Sequence, residues 1–454
     1  MKRRDFLTGS ALAGAGIPLG MASMSFASCS GTAESSSAAA PKTFTPEELG
    51  MYSFVDIAPD GRPLRAALVG CGDRGTGAAT QFLSAGPKLS IIALADLFPD
   101  RMGACMKVLK EKFNNEVPEA NRFLGFDAFQ KVLAMPEIDL VLLCTPTHFR
   151  PEHFKAAVEA GKHIFMEKPC AVDPQGIRTV IASAKIATTK GLTVVTGNQR
   201  RHSRAYWEAY VQVRNGAIGE IVSGSAHWDQ GAWWNKKHRP EWSDMEYNIR
   251  NWFNIKWLSG DHILDQAIHN IDVVTWFMGM RPVRAVGFGG RAQRITGDIF
   301  DFFSVDYYYE NNRKMLTTAR QIDGCDGNVS EQVYGTKGMF TTNGGARLED
   351  YSGNVIWQFD GKTKPEKNPY DQEHVHLVES IRLDKKINQA EDLAYSTLVA
   401  ILGREAAYTG KAITWDEIRS SELRYGPAKY ELGPLPDYRE GVAPVPGQAP
   451  QPAG

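Results

Sequence analysis

The sequence predicts an α/β protein with two folded parts: a doubly wound parallel sheet of the dinucleotide-binding type, then an α+β domain built on a large open antiparallel sheet. Three observations predict this. An apolar run at 66–69 meets Gly70, Gly72 and Gly75, spaced as G-x-G-x-x-G, and a helical pattern through Ala78, Ala79, Phe82 and Leu83 follows at once. Strand-like and helix-like stretches then alternate as far as about Asn198, the pattern of a parallel sheet. Beyond it the chain turns to long stretches of period-two alternation, which read as antiparallel strands.

Taken in order, each glycine of the first turn has a physical task. Gly70 permits the tight strand-to-helix turn, Gly72 leaves room for a pyrophosphate against the backbone, and Gly75 lets the helix lie close on the sheet. The helix then offers its unpaired N–H groups to phosphate. The next apolar run, 89–95, ends in Asp96, where a carboxylate accepts the ribose hydroxyls and repels a 2′-phosphate. NAD is therefore expected over NADP. Arg101, just over one helical turn on, is the counter-argument, because it can pair with that phosphate. Helical stretches follow at 100–113, 126–133, 154–160 and 177–187. The buried-strand run 138–143 closes in Cys144-Thr145-Pro146, the strand 163–166 ends at Glu167-Lys168-Pro169, and a last strand runs over 192–196. Gly161 ends the third of these helices as a C-cap. In the second part, strands are expected at 220–228, 282–291, 302–309, 314–321 and 339–342, with one amphipathic helix over 262–278 and another over 390–408. No later helix looks sufficient to cover the strands between 282 and 342, so a homodimer or tetramer joined through that sheet is expected.

The 454 residues carry a formal net charge of -1, which leaves no basic excess to neutralise a nucleic acid. No apolar run is long enough for a mature transmembrane helix. Arg3-Arg4-Asp5-Phe6-Leu7 resembles a twin-arginine export signal, and Phe26-Ala27-Ser28-Cys29 resembles a lipobox with Phe where Leu is usual. A Sec-type or cleaved soluble signal is the alternative. Periplasmic location, with Cys29 as a candidate lipid anchor, is the expectation. The chain thus divides into an export signal (1–29), a flexible linker (30–62), the nucleotide domain (63–198), a substrate and oligomerisation domain (199–432) and a Pro/Gly-rich tail (433–454). Six cysteines occur without a CxxC pair, so no metal site is expected and the five beyond Cys29 read as buried small side chains.

Three groupings carry chemistry. Lys168 stands at a strand end, where ligands of open α/β sheets bind, and its charge would stabilise a developing alkoxide. Asp265 and His269, four apart on the expected helix with Asp272 three further on, place a carboxylate beside an imidazole, so that Asp265 would orient His269 as a general base. Either motif alone is weak, since a lysine is usually a solvated surface group and an Asp-x-x-x-His is usually a polar stripe. Trp228, Trp233, Trp234, Trp242, Trp252 and Trp257 fall in one stretch of thirty residues among amides and charges. That composition suits the C–H faces and hydroxyl rings of a sugar, and also suits a loop folded on its own aromatics or a subunit interface.

In combination, Cys144-Thr-Pro146, Ala160-Gly-Lys-His163, Glu167-Lys-Pro169, Gly197-Asn-Gln-Arg-Arg201, Asp265-Gln-Ala-Ile-His-Asn-Ile-Asp272 and Thr409-Gly-Lys-Ala-Ile-Thr-Trp415 resemble, in order and spacing, the Gfo/Idh/MocA oxidoreductases. The resemblance covers about 64–417. It implies a Rossmann domain followed by an open-faced sheet used for oligomerisation, and it implies that Lys168, Asp265 and His269 match the family's catalytic lysine, aspartate and histidine. The nucleotide is then expected at Gly70, Gly72, Asp73, Arg74, Gly75, Asp96, Thr145, Pro146, His148, Glu167, Lys168 and Asn198. The substrate is expected at Lys168, Arg200, Trp233, Trp234, Asp265 and His269. One departure is Arg150, where many members carry histidine. The expectation is an exported NAD-dependent oxidoreductase of a sugar or polyol hydroxyl that keeps its cofactor between turnovers. A glycoside hydrolase or lyase using NAD transiently is the first alternative, and a sugar-binding protein without turnover is the second.

Overall fold

The structure, a computed structural model, describes residues 43–436, 438 and 440–448. The export-signal and lipidation expectations, including Cys29, lie outside the described residues, as does the linker up to residue 42.

The first sheet runs β1 (Leu64–Val69), α1 (Asp73–Ser84), β2 (Leu89–Asp96), α2 (Pro99–Phe113), β3 (Arg122–Leu124), α3 (Ala128–Leu133), β4 (Leu140–Leu143), α4 (Arg150–Glu159), β5 (His163–Met166), α5 (Pro174–Thr189) and β6 (Val194–Thr196). All its pairings are parallel, in the order β3-β2-β1-β4-β5-β6. This is the strand order of a dinucleotide fold, with the sheet's direction of growth reversing between β1 and β4. The strands read as unbroken apolar runs because helices cover both faces. Ala67, Val69, Val141 and Leu143 pack into one core, and Ala66, Leu68, Leu140 and Leu142 pack into another on the opposite side.

The second part runs α6 (Arg204–Arg214), β7 (Ile221–Gln230), α7 (Asp244–Arg250), α8 (Lys256–Ser259), α9 (His262–Asp265), α10 (Ile268–Met278), β8 (Arg284–Gly290), β9 (Phe302–Tyr308), β10 (Lys314–Gln321), β11 (Asn328–Gly335), β12 (Gly338–Thr341), β13 (Arg347–Asp350), β14 (Val355–Gln358), α11 (Pro369–Arg382), α12 (Ala390–Thr409), β15 (Ile413–Thr414) and α13 (Trp415–Ser420). Its nine strands lie in the order β14-β13-β12-β11-β7-β10-β9-β8-β15, all antiparallel except β7 with β10. Ala285, Val305, Tyr307, Met315 and Ala319 form the inner face and share a core with α10 and α12. The outer face is open, with Phe288 and Leu316 exposed on it.

Several elements differ from the sequence expectation. The helix expected over 262–278 is broken at Gln266 and Ala267, where the Ala267 N–H reaches back to the His262 carbonyl and the ladder restarts at Ile268. Helix α12 covers much of the inner sheet face, a cover the sequence reading did not find. Helix α11, which the sequence reading did not foresee, returns to the first domain: Val375, Leu377, Val378 and Ile381 join Leu68, Phe82 and Phe165 in one core. Residues 43–62, expected in the flexible linker, run over the body, where Tyr52 stacks on His202 and the Ser53 carbonyl oxygen accepts from His376. Part of the expected loose tail also packs, Leu435 and Tyr438 lying against Phe98, Met245 and Ile255. Cys71, Cys105 and Cys170 are buried as expected and Cys144 is half-buried, but Cys325 is exposed.

Candidate active site

A cleft of about 830 Å³ opens where the carboxyl ends of β1, β2, β4 and β5 face the second domain. That size lies toward the upper end of the range for small-molecule sites. One wall is the glycine turn. Gly70 has φ +95°, and a Cβ there would come within 2.8 Å of the Cys144 carbonyl carbon and the Thr145 nitrogen. A Cβ on Gly75 would overlap the Gly70 carbonyl oxygen. Gly72, by contrast, would place its Cβ in open space, with no atom within 4 Å. The two flanking glycines are thus required by the protein's own packing, whereas the middle one leaves room for something else. That is the shape a pyrophosphate needs at the start of α1, and the residues present fit NAD.

Asp96 ends β2 and lines the same cleft. Its Oδ2 accepts from the Cys71 N–H at 2.6 Å and its Oδ1 from the Phe98 N–H at 2.8 Å. These bonds aim the carboxylate and leave lone pairs over for a ribose. Burial raises its pKa, the bonds from Phe98 and Cys71 opposing the rise. Arg101 lies within 3.5 Å of Asp73, the first residue of α1.

The floor comes from the end of β5. The Lys168–Pro169 bond is cis. Lys168 Nζ donates to the Asp265 carbonyl oxygen and lies 3.8 Å from Asp265 Oδ1. Buried Glu167 pairs with Arg74, and its Oε2 accepts from the Lys168 N–H at 3.0 Å. Burial alone would raise the Glu167 carboxyl, but the charges of Arg74, Lys168 and Arg150 hold it below the usual range. Arg150 is buried at the start of α4 and donates to the Pro169 carbonyl at 2.6 Å, so this departure from the family pattern grips the turn that carries Lys168.

Asp265, at the end of α9, and His269, in the first turn of α10, form the facing wall. They do not hydrogen-bond as the sequence spacing suggested. The break at Gln266 and Ala267 removes the shared helical face, and Asp265 instead accepts from Gln266 Nε2 at 2.9 Å while facing Lys168. His269 Nδ1 is buried without a partner, which makes Nε2 the nitrogen available to the cleft. Burial, then the charges of Lys168, Arg200 and Arg74, push the His269 imidazole well below its ordinary pKa. It is therefore neutral at physiological pH and able to accept a proton. The Trp228 ring lies 5.4 Å from the His269 ring.

The remaining expected residues divide. Asp73, Arg74, Thr145, Pro146, Trp233 and Trp234 line the cleft. His148 does not: it turns away to bond Tyr430 Oη at 2.7 Å among Phe149 and Trp257. Asn198 is also outside the lining, buried with both side-chain polar atoms unpartnered. Arg200 lies behind the wall, bonded to Asn270 and Glu331, and bears on the site through its charge. Sequence reasoning missed Tyr370 and Glu373 of α11. Tyr370 lines the cleft under the Arg74 guanidinium, and fully buried Glu373 pairs with that guanidinium at 3.2 Å. Asn368 and Pro369, a cap and first-turn proline, were the signal that could have found them.

Residues 64–196 match the family model described as an oxidoreductase family with an NAD-binding Rossmann fold, and residues 206–341 match the GFO/IDH/MocA C-terminal domain. The chain is similar to inositol 2-dehydrogenase of Rhizobium meliloti, 24% identical over 280 residues that cover 61% of this chain and 74% of that one. It is also similar to a glycosyl hydrolase family 109 protein of Streptomyces coelicolor, 26% identical over 208 residues, 45% of this chain and 43% of that one. The matched part spans about half the length of the first such curated relatives. Among solved structures it resembles scyllo-inositol dehydrogenase from Lactobacillus casei with bound NAD(H) and scyllo-inositol, at TM-score 0.59 and 21% identity over 78% of this chain and 99% of that one. At that identity the likeness is one of fold.

Proposed function

Because the chain belongs to the Gfo/Idh/MocA oxidoreductase family and its first domain is of the NAD-binding Rossmann type, we propose that it oxidises a hydroxyl of a sugar or polyol. The observation that carries this is the meeting of Lys168, from the first domain, with Asp265 and His269, from the second, on one cleft beside Gly72. Bound NAD supplies the hydride acceptor. The residues supply the rest. His269 Nε2 takes the hydroxyl proton, and its depressed pKa keeps it free to do so. Lys168 Nζ donates to the same oxygen and stabilises the alkoxide as the hydride leaves carbon. Asp265 holds Lys168 in position, a different task from orienting the histidine. Trp228, beside His269, offers its face to the C–H side of a sugar ring.

A second reading is favoured by the glycosyl hydrolase family 109 relative: the same oxidation, made transiently and reversed, with an aglycone released in between. Two further points belong to the proposal. The Arg3-Arg4 motif and the lipobox-like Cys29 support export by the twin-arginine route, already folded, to the periplasm. Free NAD is scarce there, which favours a cofactor retained between turnovers. The open outer sheet face supports a homodimer or tetramer. The test is to purify the protein, identify the nucleotide it carries, and screen sugars and polyols for a change in absorbance at the reduced-nicotinamide band. A lasting change supports net oxidation. Release of an aglycone with no lasting change supports the second reading, and neither with any of them refutes both.

A further inference from the structure

The loop between β7 and α7 is rich in aromatic and basic residues. It is pinned at three points. The Ala232 N–H donates to Asp323 Oδ1 at 2.8 Å, the Lys236 N–H donates to Asn251 Oδ1 at 2.8 Å, and the Trp234 carbonyl accepts from Asn254 Nδ2 at 3.2 Å. Asn251 and Asn254 are fully buried and bonded to each other at 2.9 Å, so two of the pins are set in the core of the second domain. The Trp234 ring then packs 5.7 Å from Phe253 and 6.1 Å from Trp252.

Held this way, Trp234, Asn235 and Lys236 line the same cleft as Gly72, Asp73, Asp96 and Arg101. The neighbouring contact fixes the end of the cleft they occupy. Arg250, on α7, lies 3.9 Å over the Phe98 ring just past Asp96 and forms a two-pronged pair with Asp100 at 3.0 Å on each arm. The second domain therefore closes on the β2–α2 turn, the side where a dinucleotide's adenosine half and diphosphate lie in this strand order. Lys236 pairs with neither of the carboxylates nearest it, Asp73 and Asp100. Arg250 is committed to Asp100 and Glu246, Arg101 to Asp73, and Lys236 is in no ion pair among the described residues. Burial, then the nearby charges of Arg101 and Arg250, lower its pKa against the opposing pull of Asp73 and Asp100. A lysine crowded by two arginines at the mouth of a phosphate cradle is placed to receive an anion.

We propose that the 232–236 loop is the far wall of the nucleotide site, that Lys236 meets the cofactor's diphosphate across the cleft from the glycine turn, and that this wall is what retains NAD between turnovers. The proposal rests on the oxidoreductase reading above and deepens it. It moves Trp234 from the sugar to the nucleotide and leaves Trp228 as the aromatic at the chemistry.

The test is the release rate of NADH from the loaded, full-length protein, followed by nicotinamide fluorescence after mixing with excess NAD. Lys236→Ala is expected to release NADH about tenfold faster, the loss of one charge-assisted contact. Lys236→Arg is expected to stay within about twofold of wild type. Lys237→Ala, which removes the same charge from the next, exposed position, is expected to leave the rate unchanged. Equal rates for Lys236→Ala and wild type overturn the proposal, as does equal acceleration by Lys237→Ala, which would make the effect one of general charge. A wild-type protein that binds no nicotinamide nucleotide overturns the oxidoreductase reading itself, and is told apart from the other failures because no variant is then needed.

Discussion

Two alanine substitutions three residues apart separate packing from binding in the glycine turn. At Gly75 an added Cβ overlaps the Gly70 carbonyl oxygen, and backbone has no rotamer by which to yield. Helix α1 must move off β1, so Gly75→Ala is expected to cost about 2–3 kcal/mol or more, the overpacking range for a filled core. At Gly72 the added Cβ meets nothing within 4 Å, and its φ of -70° suits any residue. Two small terms remain in the nucleotide-free protein. Restricting the unfolded chain favours alanine by roughly 0.4–1 kcal/mol, while alanine at a helix N-cap is worse than glycine by a similar amount. Gly72→Ala should therefore fold with stability within about 1 kcal/mol of wild type. Its methyl group would stand in the space a pyrophosphate uses. Losing one or two phosphate-to-N–H bonds, each worth about 1.5–3 kcal/mol, should weaken NAD binding by about a hundredfold or more. Thermal unfolding without nucleotide and calorimetric titration with NAD measure the two effects separately. Gly72→Ala binding NAD as tightly as wild type would refute the reading of the turn.

Three further predictions follow from the buried charges and the open sheet. His269 is held neutral by burial and by Lys168, Arg200 and Arg74, so the acid limb of kcat/KM should lie below pH 6.5; Arg200→Gln removes one of those cations, raises the imidazole pKa and should move the limb upward. The buried His376 imidazole, pushed down to about 4 mainly by burial, is protonated in the unfolded chain before the folded one. Its folded pKa is depressed, so stability is full above about pH 6.5 and falls towards pH 4 by about 3 kcal/mol, measurable as a steeper acid loss in wild type than in His376→Gln. Phe288, two-thirds exposed on the outer sheet face, should become a barrier as Phe288→Asp, giving a monomer by light scattering where wild type is expected to be a dimer or tetramer; a monomeric wild type at micromolar concentration would rule the interface out.

The first sheet was legible because a parallel sheet covered on both faces writes itself as apolar runs, and because Gly70, Gly72, Gly75 and Asp96 each answer a backbone or charge requirement local to the turn. The cleft's membership was legible for Lys168, Asp265 and His269, since strand ends and a motif-bearing helix are local features too. What could not be read is what depends on distant packing. Helix α11 buries Gln372, Glu373, His374, His376 and Ser380 along with its apolar residues, so no polar face remained to announce a helix. The link from Asp265 to His269 assumed four residues of unbroken helix, and the ladder breaks between them. His148 sits one turn from the cleft in sequence, yet Tyr430, nearly three hundred residues on, draws it away. The Trp-rich loop was read by composition alone, whereas the cleft wall it forms is set by Asn251 and Asn254 beneath it.

The central claim is that His269 and Lys168 move the proton and hold the oxygen while NAD takes the hydride. The measurement that tests it most directly is a single turnover on protein loaded with NAD, mixed with a sugar or polyol that wild type accepts, and followed at the reduced-nicotinamide absorbance. The account predicts a rise in wild type. It predicts a rise slowed by about a hundredfold or more in His269→Ala and Lys168→Ala, the usual range for a lost proton acceptor, with NAD still bound in both. A rise in His269→Ala at the wild-type rate would contradict it.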